Sequence, residues 1–476
     1  MIVQSQTTAS KPSDDAPDRV GVQLSVFPLP LTPLEQFLIQ CDTPRSPMIM
    51  RVVLRFTGDC CAQVLVDTFQ RAISRHPLAS CRIARRKGRL EWIAGTAASV
   101  VSRRITGRVF EPHSIPVSER IDLTTKAGVQ SEILMLDDGV KVVMNTHHAV
   151  ADGNGLRQII TDWLHLYHCE ITGERLRLPV VDLDRLQQRH QFPQPPSVAP
   201  IGLREAIRNL LVTIRGRTAR LNRTKAIRLN DAETWHSHCV EKIVSPEQFE
   251  QIERRLIAWK VTLNDLMIAS SMSIFSQMAP AGKMNHQVTV LNPTDLRLPS
   301  DRSLPAANRF GFAFIRRARS GCHDPAGLLR GIHDEMDYVK SNYIGAEFIK
   351  GLEVASKIPG GVDALRKLGL FIPSLQWTCL GDVTRGAKRL MPWKDRILQS
   401  GGLRLETATA FAPFAENVPL SIATCEAGKQ ITLTVRSSQE YLSMEQTEDF
   451  ATSLLNLACR FELPATTDEK KYTEVE

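Results

Sequence analysis

The residues Asn145-Thr146-His147-His148-Ala149-Val150-Ala151-Asp152-Gly153-Asn154-Gly155 bring two histidines, an acid and two glycines together directly after an apolar run. An imidazole titrates near neutrality and can take a proton from an alcohol, thiol or amine nucleophile. Gly153 and Gly155 let the backbone turn tightly and come close to a ligand. Adjacent residues at a strand end face opposite sides, so only one of His147 and His148 can point into a given cavity. A single histidine is more often structural than catalytic, and that reading stands beside the chemical one. Metal binding by His147, His148 and Asp152 is disfavoured: neighbouring histidines splay apart, and no partner cluster with metal spacing follows. Spacing alone would allow His148 and Asp152 to form two thirds of a triad, yet there is no G-x-S-x-G to supply its nucleophile.

The elements that must hold this motif follow from periodicity. Val140 to Met144 reads as a strand that ends where the sequence turns polar and glycine-rich. From Leu156 the pattern becomes helical, with Ile159, Ile160, Trp163, Leu164 and Tyr167 on the same stripe. The motif is therefore expected on a strand-to-helix loop, where rigid flanks hold a reactive group. Thr32-Pro33-Leu34-Glu35 and Ser245-Pro246-Glu247-Gln248 are capping boxes that start helices. Met48 to Phe56, Arg89 to Ile93, Gln287 to Leu291 and Gln430 to Arg436 read as strands, and Ser443 opens a last helix. Trp235, His236 and His238 form a second histidine-bearing patch, which reads as a strand entering the second half. Arg82-Ile83-Ala84-Arg85-Arg86-Lys87 reads as a solvated turn.

The chain has 476 residues, 43% hydrophobic and 23% charged. That composition fits folded globular domains and excludes disordered and fibrous classes. No run approaches the ~20 apolar residues of a membrane span, and the polar start does not read as a secretory signal. Ten scattered cysteines, including adjacent Cys60 and Cys61, fit reduced thiols in a cytoplasmic protein. The net charge of +8 is concentrated. Arg204, Arg208, Arg215, Arg217, Arg220, Arg223, Lys225 and Arg228 face only Glu205 within residues 201–228. No nucleic-acid motif accompanies them, and with 6% aromatic residues nucleic acid is disfavoured as a partner. Ile207, Leu210, Leu211, Ile214 and Leu221 follow helical spacing there. The segment therefore fits either a connector packed on the protein or a basic helix in peripheral contact with an anionic membrane, the connector being preferred. Strand–helix alternation in both halves gives an α/β class. The expected division is a loose tail over 1–24, an N-terminal lobe over 25–184, a linker with the basic segment over 185–234, a C-terminal lobe over 235–463 and a tail over 464–476.

His147-His148-Ala149-Val150-Ala151-Asp152-Gly153 resembles the HHxxxDG signature of chloramphenicol-acetyltransferase-like acyltransferases. That superfamily includes condensation domains, polyketide-associated acyltransferases, alcohol acyltransferases and wax ester synthase/diacylglycerol acyltransferases. Weaker resemblances fall in the family's order: Leu31 to Glu35, Arg75-His76-Pro77-Leu78, Asn264-Asp265-Leu266, Pro293 to Arg297 with Asn308-Arg309-Phe310-Gly311, Leu380-Gly381-Asp382-Val383, and Pro419 to Glu448. Two features depart from it. Thr378-Cys379 stands where relatives have Ser-Asn, and the DFGWG block of the plant branch is absent.

The resemblance implies two similar α/β lobes with mixed sheets, set in a V as a pseudo-dimer around an interlobe tunnel with His148 at its centre. It implies acyl transfer from a thioester, either coenzyme A or a carrier-protein phosphopantetheine, to an alcohol or amine. No bound cofactor and no protein nucleophile are implied. His148 would be the general base. His147 and Gly153 would be structural, and Asp152 would pair with an arginine across the lobes, for which Arg297 is the candidate. The basic run from Arg82 would then be available to thioester phosphates or an acidic carrier. A monomer is expected. Two alternatives stay open: a stand-alone condensation-type enzyme forming amides from carrier-bound substrates, and an inactive binding module of the same fold.

Overall fold

A computed structural model describes residues 26–95, 98–104, 120–195, 218–222, 237–280, 287–363, 372–415 and 417–462. The elements in chain order are β1 (Leu29–Pro30), α1 (Pro33–Cys41), β2 (Ile49–Thr57), α2 (Ala62–Ser74), β3 (Arg82–Arg86), β4 (Arg89–Ile93), β5 (Ser99–Arg104), β6 (Val129–Leu136), β7 (Gly139–His147) and α3 (Gly153–Thr172). After the crossing come β8 (Ser237–Ile243), α4 (Pro246–Trp259), α5 (Leu263–Met278), β9 (Gln287–Asp295), β10 (Phe310–Ala318), α6 (Pro325–Ser341), α7 (Ala346–Ser356) and β11 (Leu375–Asp382). The chain closes with β12 (Trp393–Lys394), β13 (Ile397–Ser400), β14 (Leu403–Phe411), β15 (Leu420–Ala427), β16 (Gln430–Ser438) and α8 (Met444–Arg460).

Two large mixed sheets form the two lobes. One has the order β12-β13-β14-β2-β7-β6-β5 and the other β10-β9-β11-β15-β16-β8, while β1, β4 and β3 make a small third sheet. The first sheet corrects the division into sequential lobes. Strands β12 to β14 come from the C-terminal half but belong to the N-terminal sheet, where β14 pairs antiparallel with β2 from Arg404↔Thr57 to Phe411↔Arg51. Without them β2 would be an edge strand with unpaired backbone groups. The core of the N-terminal lobe accordingly includes Leu398, Leu403, Leu405 and Ala408.

Local signals explain where most helices begin. Thr32, Ser245, Thr262 and Ser443 each close a capping box. Glu35, expected only as a cap, does more. It is buried, accepts from Arg189 Nε at 2.8 Å and Nη2 at 2.9 Å, and accepts from the Trp92 indole at 3.0 Å. This pair ties the start of the expected linker to the N-terminal lobe. A second stretch of that linker also packs down: Ala219 N donates to the Gln287 carbonyl at 2.8 Å, and Leu221 joins the C-terminal core. Leu221 sits in non-helical backbone, not on a helix stripe. The remainder of the basic segment, the two tails up to residue 25 and from 463, Trp235 and His236 lie outside the described residues, whereas His238 is on β8.

Arg82–Arg86 is a strand, not a turn, because it pairs with Arg89–Ile93; the turn is confined to Lys87 and Gly88, whose φ angles of 47° and 79° suit a tight hairpin. Among the described residues no helix is long and apolar enough to cross a membrane.

Candidate active site

The motif occupies the junction of the lobes. Strand β7 does not stop before Asn145 as its composition suggested. Ladders with β2 and β6 carry it to His147, with Ile49↔His147 and Met50↔Thr146 in register. Tertiary pairing overrides the weak strand propensity of Asn145 and Thr146. Helix α3 likewise starts at Gly153, before the periodic residues, because Asp152 is its N-cap and accepts from Gly155 N at 2.8 Å.

The two histidines part to opposite sides. His147 is buried, accepts from Ala149 N through Nδ1 at 3.1 Å, and places Nε2 3.6 Å from the carboxylate of Asp42. Asp42 also accepts from Met48 N and Arg120 Nε. Burial opposes its charge, but the hydrogen bonds from His147, Arg120 and Met48 outweigh burial and hold the carboxyl below 3.8. Replacing His147 by alanine is expected to cost about 1–3 kcal/mol through the buried groups left unpaired. Turnover per folded molecule should stay near that of the parent, which thermal unfolding with a parallel assay would check.

His148 faces the cavity. Its ring stacks on Phe310 with centroids 5.0 Å apart. Its amide donates to the Met48 carbonyl at 2.7 Å, and Asn308 Nδ2 donates to the carbonyls of His148 and Ala149, both at 2.8 Å. Burial holds the imidazole below its ordinary 6.5, opposed but not reversed by the nearby peptide groups of His148 and Ala151 and the field of Asp152. A ring so placed is neutral at neutral pH and able to accept a proton.

Asp152 does not serve His148. Its oxygens accept from Arg297 Nη1 at 2.9 Å and Nη2 at 2.7 Å, from Arg309 N at 2.7 Å and from Gly155 N. No hydrogen bond joins it to His148 among the described residues, so the triad arrangement is not the one adopted. Burial opposes the charge, yet Arg297 and the two amides hold the carboxyl below 3.8. Arg297 itself also donates to Asp295 and to the Ala307 carbonyl. This bidentate contact joins the N-terminus of α3 to the end of β9 and bolts one lobe to the other.

Gly153 and Gly155 act by size rather than by an unusual backbone angle. A Cβ on Gly153 would lie 2.8 Å from Leu380 Cδ1, and one on Gly155 would lie 3.0 Å from Ala151 Cβ and 3.2 Å from Ala307 N. The loop can therefore pack directly against the other lobe. His76 adds a further tie, accepting from Ala306 N at 3.0 Å while its Nε2 lies 3.2 Å from Asp162 on α3. Among the described residues no group of three or more His, Cys, Asp or Glu side chains could hold a metal ion.

A cavity of about 370 Å³ opens beside His148. The N-terminal lobe lends it α1, β2, the motif loop and the first turn of α3; the C-terminal lobe lends β9, β10, α7 and β11. Thr378 and Cys379, the departure from the family pattern, line it. Burial pushes the Cys379 thiol up, so it stays protonated and offers no nucleophile. Several contributors had no role assigned from the sequence. Asn308 stands out in the sequence only through the resemblance, whereas Phe310, Phe312 and Phe314 carry a legible signal, an aromatic at every second position of a strand. Nothing local marked Phe348 or Met48.

No protein-family model and no curated protein matches the sequence. Solved structures do match it. The first condensation domain of the CDA synthetase aligns with a TM-score of 0.64 at 16% identity, over 93% of this chain and 98% of that one. The NRPS cyclization-docking bidomain from Sorangium cellulosum gives 0.64 at 13% identity, over 92% and 85%. Polyketide synthase associated protein 5 from Mycobacterium tuberculosis gives 0.58 at 14%, over 91% and 99%. The chain thus has the condensation-domain fold, with two chloramphenicol-acetyltransferase-like lobes of mixed sheet.

Proposed function

We propose that this chain is an acyltransferase that moves an acyl group from a thioester to a hydroxyl or amine acceptor, with His148 as general base. The observation that carries the reading is His148 itself: a buried imidazole held neutral, facing an interlobe cavity, on a loop clamped from both lobes. The acceptor's O–H or N–H gives its proton to the ring as the nucleophile attacks the thioester carbonyl. The thiolate then leaves and is protonated in turn. Thioesters are activated already, so positioning and one base of suitable pKa supply much of the rate. Neither a bound cofactor nor a covalent acyl-enzyme is part of this scheme. Asp152, Arg297 and Asn308 hold the loop, Gly153 keeps it close to the substrate, and His147 supports it from behind.

The donor is a coenzyme A thioester or an acyl group on a carrier-protein phosphopantetheine, and the acceptor a small alcohol or amine. Incubation of the intact chain with acyl-coenzyme A or with loaded carrier, and a panel of alcohols and amines, followed by mass spectrometry, tests this. Transfer from free coenzyme A thioesters is expected if the enzyme stands alone. Transfer to an amine only from loaded carrier would favour the condensation-type reading. No transfer from either would leave a binding module of the same fold and overturn the proposal.

A further inference from the structure

Strand β10 is the edge strand of the C-terminal sheet, and its alternation gives it two unlike faces. Ala313 and Ile315 enter the core of the C-terminal lobe, whereas Phe310, Phe312 and Phe314 line the cavity. The rings form a continuous wall that starts at the candidate base. His148 stacks on Phe310, Phe310 meets Phe312 at 5.2 Å, Phe312 meets Phe348 of α7 at 5.0 Å, and Phe348 meets Phe37 of α1 at 5.4 Å. At the rise of a strand, Phe310 to Phe314 spans about 13 Å. The next residue on that face is Arg316, whose guanidinium lies 5.4 Å from the Phe314 ring centroid and feels the charge of Glu335. The apolar wall therefore has a beginning, at His148, and an end, at a cation.

We infer that the wall of Phe310, Phe312, Phe314 and Phe348 binds an extended, uncharged hydrocarbon chain of the substrate whose reacting end lies at His148. This rests on reading His148 as the reacting end of the cavity. The phenylalanine rings provide no hydrogen-bonding partner for a polar chain, which would lose its hydration uncompensated along them. The rings meet at interplanar angles of 82°, 77° and 76°, so the wall presents alternating edges and faces. A flexible chain can follow them. Its far end, at Phe314 and Arg316, meets a charged and exposed position, and burial gained per added methylene should stop there.

The test uses butanoyl, octanoyl, dodecanoyl and hexadecanoyl thioesters of N-acetylcysteamine with the intact chain, binding being read by calorimetry. A buried methylene strengthens binding about fourfold before the cost of ordering the chain. Octanoyl is expected to bind at least ~10-fold tighter than butanoyl, and dodecanoyl, whose extended chain matches the wall of about 13 Å, tighter again, with little further gain to hexadecanoyl. Phe312→Asn and Phe348→Gln, both at half-buried positions, should flatten the dependence on length, and their melting curves report whether they fold. Phe314→Trp keeps the wall apolar and shortens it, so the preferred chain should become shorter. Length-independent binding, or a dependence that survives the two polar replacements, would overturn the inference. Graded binding without any acyl transfer would sustain the wall and overturn the transferase reading; transfer without graded binding would do the reverse.

Discussion

His148→Ala is expected to reduce turnover by at least ~100-fold while the fold is retained, because a positioned general base contributes roughly 10²–10⁴. Retention of structure follows from the contacts. The tethers of His148 to Met48 and Asn308 all run through its backbone amide and carbonyl, which alanine keeps. Only the ring, stacked on Phe310, is lost. The pH profile is a companion measurement. Burial lowers the pKa of His148, so the base form persists to a pH below 6.5 and the acid limb of kcat/KM should lie below that value. In the alanine variant that limb should vanish from the residual rate. Wild-type turnover in His148→Ala, with circular dichroism and melting unchanged, would remove the base from the mechanism and leave the cavity as a binding site.

The second large effect is expected at the clamp between Asp152 and Arg297. Breaking a buried pair from one side costs roughly 3–5 kcal/mol, because the other charge stays behind without its partner. The two sides are not equivalent. Asp152→Ala removes the acceptor for four N–H contacts, two from Arg297 and one each from the amides of Arg309 and Gly155, along with the N-cap of α3. Arg297→Ala leaves the carboxylate its two amides and the helix terminus, so its cost should fall at the lower end of the range. Both should lower the melting temperature and, since the clamp positions the motif loop, the activity as well. The double variant should be less destabilised than the sum of the singles, which chemical unfolding of all four proteins would read. Additive effects would mean that the pair is not coupled.

How much of this was legible without the structure depends on the range over which each signal acts. Caps, turns and helix faces are set by backbone groups within about four residues, and there the reading was close. Thr32, Ser245 and Ser443 begin helices because their side chains satisfy orphan amides of the first turn. Where neighbours in space supplied the decisive hydrogen bonds, it was not. Strand β7 runs on through Asn145 to His147 because β2 and β6 flank it, and Arg82–Arg86 is a strand because its hairpin partner follows it. Glu35 looked complete as a cap, since nothing nearby revealed Arg189, 154 residues away.

The amino-acid sequence by itself determined the α/β class, the motif with its histidines, acid and glycines, and the alternation that sends His147 and His148 to opposite sides. Those properties reside in residue type and in the fixed periods of helix and strand. Only the tertiary structure decided that β12 to β14 cross into the N-terminal sheet, that Asp152 also takes the amides of Arg309 and Gly155, and that Asn308 grips the His148 carbonyl. It alone made three phenylalanines of an edge strand into a wall beside His148. Each of these depends on which surfaces meet once both faces of a sheet must be covered and every buried polar group paired, and that requirement has no period along the chain.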